Sequence, residues 1–206
     1  MFSEGENSDD EVLLEAARQG CRAAFGRLLD QHQRALYAFV LRTEGNDREL
    51  AADIVQDTFE IACRRLHRFR GQSRFRTWLL GIAVNRIRSW RRRQRLRALL
   101  QWQDLEDLSP SSPAPSPVAA AQQDSQRVMI ERAFSSLSRM QREALYMREF
   151  EALSHEEIGR VLGLKINTVK SRIHSARQAM LRELGNMKSQ LISADECSEE
   201  RRHETA

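Results

Sequence analysis

Apolar positions recur three and four residues apart along most of this chain, and no stretch alternates apolar and polar residues as a strand would. In the first half the pattern predicts four helices. One opens at about Asp9 and runs through LLEAARQG to a break near Gly20. The second, AAFGRLLDQHQRALYAFVLRT, carries Phe25, Leu28, Leu29, Leu36, Phe39 and Val40 as its apolar positions and ends at Gly45 and Asn46. The third, DRELAADIVQDTFEIACRRLHRF, places Val55, Phe59, Ala62 and Leu66 on one face, with Asp53, Gln56, Asp57 and Glu60 towards solvent. A loop, Arg70–Ser73 (RGQS), leads into a fourth helix from about Phe75 past Arg97, with Phe75, Trp78, Leu79 and Ile82 at core spacing.

The second half begins with a helix at about 125–136. Ser138 and Gln141 then stand at the spacing of a helix-opening box, in which each satisfies a backbone N–H of the other's end, ahead of a helix over 139–150. The stretch SHEEIGRVLGLKINTVKSRIHSARQAMLREL follows, and it is the most informative in the chain. Ser154 and Glu157 repeat the box, with Leu153 and Ile158 placed as its hydrophobic staple. Gly163 can supply the left-handed residue that ends a short helix, and Asn167 can cap the next. Val169, Ile173, Ala176 and Met180 form the buried stripe of that longer helix. Its other face carries Asn167, Ser171, His174, Ser175 and Gln178, flanked by Lys170, Arg172 and Arg177. Short helix, tight turn and long helix with a polar, basic outer face make a DNA-reading helix-turn-helix.

All four prolines fall between Pro110 and Pro117, inside an acidic, Ala- and Gln-rich stretch. The pattern therefore predicts an all-α protein of two helical domains, 10–102 and 127–185, joined by a flexible linker at 103–126. The polar tail, 186–206, lacks an apolar stripe and is expected to be frayed or disordered.

Charge sharpens the picture. Residues 64–97 hold thirteen Arg and no Asp or Glu, while the 206-residue chain as a whole is only at +4. A long one-signed run interleaved with Phe69, Phe75, Trp78 and Trp90 points to a polyanion, because neutralising phosphates releases counterions. Three scattered cysteines without a CxxC fit a reducing compartment and give no zinc site. The acidic N-terminus is not a signal peptide and no apolar run reaches membrane-span length, so a cytoplasmic protein is expected. With no phosphate loop, triad spacing or metal cluster, neither an enzyme nor a cofactor or small-molecule substrate is expected.

Together, DIVQDTFEIACRRLHRFRGQSRFRTWLLGIAVNRIRSW and LSHEEIGRVLGLKINTVKSRIHSAR resemble bacterial RNA polymerase sigma factors of the extracytoplasmic-function (ECF) type, over roughly 10–100 and 125–185. The resemblance implies a region 2 domain and a region 4 helix-turn-helix domain. It implies promoter DNA and core RNA polymerase as partners, an anti-sigma factor as regulator, and a role in a stress or envelope response.

The resemblance also implies roles for residues. The outer face of the third helix (Asp53, Gln56, Asp57 and Glu60) would dock on the polymerase clamp helices. The loop with Phe69, Arg70, Gly71, Gln72 and Ser73 would rim a pocket for an unpaired −10 base, with Asn85 reading a base edge. Arg88, Arg91 and Arg92, in a helix that also holds Arg86, Arg93, Arg95 and Arg97, would grip phosphate. In region 4, Lys170 and Ser171, then His174 and Ser175, would reach base edges of the −35 element beside Asn167 and Thr168, with Arg172 and Arg177 on phosphate. Gly81 and Ile82 stand where housekeeping factors carry paired tryptophans, which implies weaker intrinsic melting. The competing reading is a free-standing regulator with the same helix-turn-helix. It would need an α/β sensor block, and the first half lacks that alternation.

Overall fold

The computed structural model describes residues 4–101 and 124–203. Among them every regular element is a helix: α1 (Glu4–Arg18), α2 (Arg22–Thr43), α3 (Arg48–Arg65), α4 (Phe75–Gln101), α5 (Asp124–Ser135), α6 (Arg139–Glu149), α7 (His155–Leu162) and α8 (Ile166–His203), with one 3-10 turn at Leu66–Arg68. The all-α expectation holds. The expected linker lies mostly outside the described residues, and its last three positions already belong to α5. No described helix is long and apolar enough to cross a membrane.

The helices gather into two compact units. The first holds α1 to α4 together with Gly159–Leu164; the second holds α5, α6, α7 as far as Ile158, and α8. In the first, α2 packs on α1, α3 and α4, and α3 packs on α4. Leu14, Ala17, Leu28, Ala62, Leu66, Phe69, Phe75, Leu79 and Ile82 form one buried cluster. The predicted stripe of α2 is buried at Leu28, Leu36, Phe39 and Val40, and that of α4 at Phe75, Leu79 and Ile82. On α3 the buried face lies a little to one side of the predicted one. Ile54 and Thr58 are inside, Val55 and Ala62 remain inside, and Phe59 is only half-buried. Thr58 can be inside because its hydroxyl donates to the Ile54 carbonyl at 2.6 Å, so no polar group is stranded.

Local chemistry sets the boundaries. Asp47 caps α3 by accepting from the Leu50 N–H at 3.0 Å. The α2 helix stops at Gly45 (φ +80°) and Asn46 (φ +64°), where the chain enters the left-handed region and the Asn46 N–H returns to the Leu41 carbonyl. The α1 helix begins at Glu4, earlier than the Asp9 expected from the pattern.

In the second unit α8 packs across α5 and α6. Ala133, Phe134, Leu137, Ala144, Leu145, Tyr146, Met147, Leu153, Val169, Ile173 and Ala176 are buried. The largest departure from the sequence reading is the far end of α8. The tail from 186 is expected to be frayed or disordered, yet the helix passes Gly185 and continues to His203. One Gly inside a helix costs only about 1 kcal/mol relative to Ala, and the residues beyond it include no proline.

Candidate functional site

The helix-turn-helix is built as its sequence dictates. The Ser154 Oγ accepts from the Glu157 N–H at 3.1 Å, and the Glu157 carboxylate accepts from the Ser154 N–H at 2.8 Å. Both staple residues, Leu153 and Ile158, are buried. Glu156, exposed in the same first turn, has its carboxyl held below the usual range. The main cause is a hydrogen bond from its own backbone N–H, with smaller help from the Ser154 hydroxyl, His155 and Lys170. A negative charge there suits the positive end of α7. Gly163 sits at φ +65° and the Leu164 N–H reaches back to the Gly159 carbonyl at 2.8 Å, which closes α7 with a left-handed turn.

The α8 helix starts two residues earlier than a cap at Asn167 would set it, so Asn167 lies inside its first turn instead of capping it. The Lys165 carbonyl receives the Thr168 and Val169 N–H groups, which makes Lys165 the cap position. This frees the Asn167 amide to face outward. Along the first three turns Val169, Ile173 and Ala176 are buried, while Asn167, Thr168, Lys170, Ser171, His174, Ser175 and Arg177 are exposed and Arg172 is half-exposed. The expected reading face is thus continuous and open. Two of its members are already engaged. The Ser175 Oγ accepts from Gln141 Nε2 at 3.3 Å, and Arg177 donates to Glu149 from Nη2 at 2.6 Å and from Nε at 3.2 Å. Both contacts tie α8 to α6, and no sequence pattern announces either.

In the first unit the loop expected to rim a base pocket is exposed at Arg70, Gly71 and Gln72 and half-exposed at Ser73. Gly71 takes φ +71°, a conformation that a side chain resists. Phe69 corrects the expectation. The residue is only 6% exposed, and its ring packs edge-on to Phe75 at 5.5 Å and against Trp78 at 5.2 Å. The Phe69 carbonyl accepts from Arg18, whose guanidinium also lies over the ring. Phe69 therefore anchors the loop from inside the core instead of lining its rim. The 3-10 turn at Leu66–Arg68 turns the chain just before it, and a helical count through the segment misses that turn.

On α4, Asn85, Arg88, Arg92, Arg93, Arg95 and Arg97 are exposed. Arg91 is not available in the way expected. It binds Glu44 at the end of α2 through Nη2 at 2.5 Å and Nε at 2.7 Å, and the Glu44 side chain has no exposure at all. Arg86 pairs with Asp57 of α3. On the outer face of α3, Asp53, Gln56 and Glu60 are exposed, and Asp57 is turned partly towards α4 by that pair. Glu60 lies within 3.8 Å of Arg64, a solvent-exposed pair of little energetic weight. No cluster among the described residues could hold a metal ion.

The chain matches the family model described as sigma-70 region 2 over residues 28–97 and that described as sigma-70, region 4, over residues 127–180. It is 35% identical over 171 residues to the RNA polymerase sigma factor NccH of Alcaligenes xylosoxydans xylosoxydans, covering 82% of this chain and 91% of that protein. It is 31% identical over 181 residues to the ECF RNA polymerase sigma-E factor of Escherichia coli K12, covering 85% and 94%. Two solved structures are similar at 28% identity. One is the sigma factor RpoE of Bartonella quintana in complex with the anti-sigma factor NepR, with a TM-score of 0.63 over 78% of this chain and 96% of that one. The other is CnrH in complex with the cytosolic domain of CnrY, with a TM-score of 0.57 over 91% and 99%. Helix order, helix-turn-helix geometry and these likenesses agree: the chain belongs to the ECF-type RNA polymerase sigma factors, proteins of transcription initiation.

Proposed function

We propose that this chain binds core RNA polymerase through the outer face of α3, reads a −10 element with the loop after Phe69 and with α4, and reads a −35 element with the first turns of α8. The observation that carries the reading is the split of α8. Its buried stripe, Val169, Ile173 and Ala176, leaves Asn167, Lys170, Ser171 and His174 on one open face at the start of the helix, the part that enters a major groove in a helix-turn-helix. On α4, the exposed Arg88 and Arg92 supply phosphate contacts beside Asn85. Asp53, Gln56 and Glu60 supply the polymerase-facing polar surface, with Asp57 in a shared position.

Regulation by an anti-sigma factor is part of the proposal, supported by the solved likenesses to sigma factors held by NepR and by CnrY. Cytoplasmic work in a stress or envelope response, with no chemistry of its own, belongs to the same proposal.

Transcription in vitro with purified core polymerase over a promoter library tests the function. The expected result is initiation from a promoter class that core enzyme alone ignores, with both promoter elements required. Tight binding to duplex DNA without core enzyme, and no initiation with it, would favour a free-standing regulator instead.

A further inference from the structure

Two charged stripes meet at one ion pair in the first unit. On α3, Asp53, Asp57 and Glu60 stand at i, i+4 and i+7, hence on one side of the helix. On α4, Arg86, Arg93 and Arg97 stand at i, i+7 and i+11, which the 3.6-residue turn also brings to one side. Arg93 and Arg97 are exposed, whereas Arg86, at the inner end of the stripe, donates through Nη2 to Asp57 Oδ2.

The pair is suited to exchange. Its side chains are 24% and 38% exposed, so neither group is locked in the interior. Arg86 is also incompletely satisfied, because its Nε is buried without a hydrogen-bond partner. A guanidinium with a donor unmet gains by meeting a phosphate group, two of whose oxygens accept parallel N–H bonds. A carboxylate shared between two cations holds each less firmly than it holds one.

We propose that Asp57 and Arg86 couple polymerase docking to DNA binding. In the uncomplexed chain Asp57 holds Arg86 against α3. A cationic side chain of the polymerase that engages Asp57 competes with Arg86, which then extends the Arg93–Arg97 stripe by one phosphate contact. Coupling of this kind is reciprocal, so DNA must tighten polymerase binding by the factor that polymerase tightens DNA binding. The inference deepens the function proposed above and rests on its placing of polymerase at α3 and DNA at α4.

The test uses the full chain without polymerase and a short random-sequence single-stranded DNA, since the phosphate contribution does not depend on sequence. Asp57→Asn removes the charge that restrains Arg86. It should tighten DNA binding by about fivefold or more, the lower end of typical site-to-site coupling, and steepen its salt dependence. Asp53→Asn makes the same charge change one turn away and should do much less. Arg86→Gln placed in the Asp57→Asn chain should abolish the gain. Circular dichroism and thermal melting check that each variant is folded. Should Asp57→Asn prove unfolded, Arg86→Gln alone decides: the parent chain should bind core polymerase more tightly with the DNA present, and this variant should lose that increment. An unchanged affinity in Asp57→Asn, equal gains from Asp53→Asn, or a gain that survives Arg86→Gln overturns the coupling. Failure of the parent chain to direct transcription with core enzyme would overturn the function itself, a separate outcome from a failure of the pair.

Discussion

Arg91 reaches from α4 to the end of α2 and sets Nη2 and Nε on one oxygen of Glu44, at 2.5 and 2.7 Å. Glu44 follows the last turn of α2, and its side chain is fully enclosed. The contact clamps the start of the arginine-rich stretch to the body of the domain. Arg92 and Arg93, the next two residues, point outward. One run of three arginines therefore divides into a structural member and two surface members.

That division has separable consequences. Arg91→Ala removes two charge-assisted hydrogen bonds from a fully enclosed carboxylate and should lower the stability of the first domain by about 1.5–3 kcal/mol. Arg92→Ala with Arg93→Ala should leave thermal melting within about 0.5 kcal/mol of the parent. The double variant should instead weaken promoter binding across sequences alike and flatten its salt dependence. Melting curves paired with DNA titrations over a salt series check both. Equal melting of all three chains would contradict the clamp.

Phe69 and Gln72 make a similar contrast within one loop. Phe69→Ala removes a ring packed against Phe75 and Trp78 and should cost about 3–5 kcal/mol. Gln72→Ala, on an exposed side chain, should leave stability unchanged while altering preference at the −10 element. Gly71→Ala falls between these two. A Cβ at Gly71 meets no atom within 4 Å, so the cost is that of the backbone at φ +71° less the conformational entropy that Gly loses on folding, a net of about 0.5–1 kcal/mol. Permanganate footprinting of open complexes, beside melting curves, distinguishes anchoring from reading.

The sequence was most legible where interactions are local. The Ser154–Glu157 box, the left-handed Gly163 and the alternation of Val169, Ile173 and Ala176 with exposed neighbours are all set within a few residues, and the structure follows them. What it could not display are contacts between helices. Nothing near Arg91 indicates that Glu44, 47 residues away, will bind it, and nothing near Arg86 indicates Asp57. An arginine-rich run reads as a uniform phosphate surface until the packing of α2, α3 and α4 withdraws particular members. Phe69 was misplaced for a related reason. The resemblance assigns the rim to the loop as a whole, and the change of pitch at Leu66–Arg68 that sends the Phe69 ring inward has no signature in the sequence. The cap of α8 lies two residues before Asn167, since a backbone carbonyl, that of Lys165, opens the helix without a side-chain signature.

Ala152 offers a test of backbone strain in the approach to the helix-turn-helix. It is exposed, non-glycine and held at φ +50° two residues before Ser154. The left-handed conformation costs Ala about 1–2 kcal/mol, and Gly loses about 0.5–1 kcal/mol more than Ala in conformational entropy on folding. Ala152→Gly should therefore stabilise the second domain by about 0.5–1 kcal/mol. Ser154→Ala, which breaks the helix-opening box, should destabilise it by about 1 kcal/mol. Denaturant titration of the two variants should give shifts of opposite sign.

The last prediction separates reading from positioning on α8. Lys170 and Ser171 are exposed on the face that the proposed function turns towards the −35 element, and Val169 beside them is buried. Lys170→Ala and Ser171→Ala should leave the fold intact, and loss of a good base contact should cost about 1–3 kcal/mol of discrimination at one −35 position. Arg177 acts at one remove. Its guanidinium is held by Glu149 of α6, 28 residues away, in a contact between exposed side chains that links α8 to α6. Glu149→Gln releases Arg177 without shortening any side chain. If Arg177 serves mainly to hold α8 in place, Glu149→Gln and Arg177→Gln should weaken −35 recognition to a similar degree, and combining them should add little. If Arg177 serves mainly as a phosphate grip, Glu149→Gln should strengthen DNA binding and Arg177→Gln should weaken it. Nη2 and Nε both point at the same Glu149 oxygen, the contact that Glu149→Gln weakens. A double-mutant cycle read by transcription from −35 variants decides between them, since residues within one ion pair depart from additivity and independent ones do not.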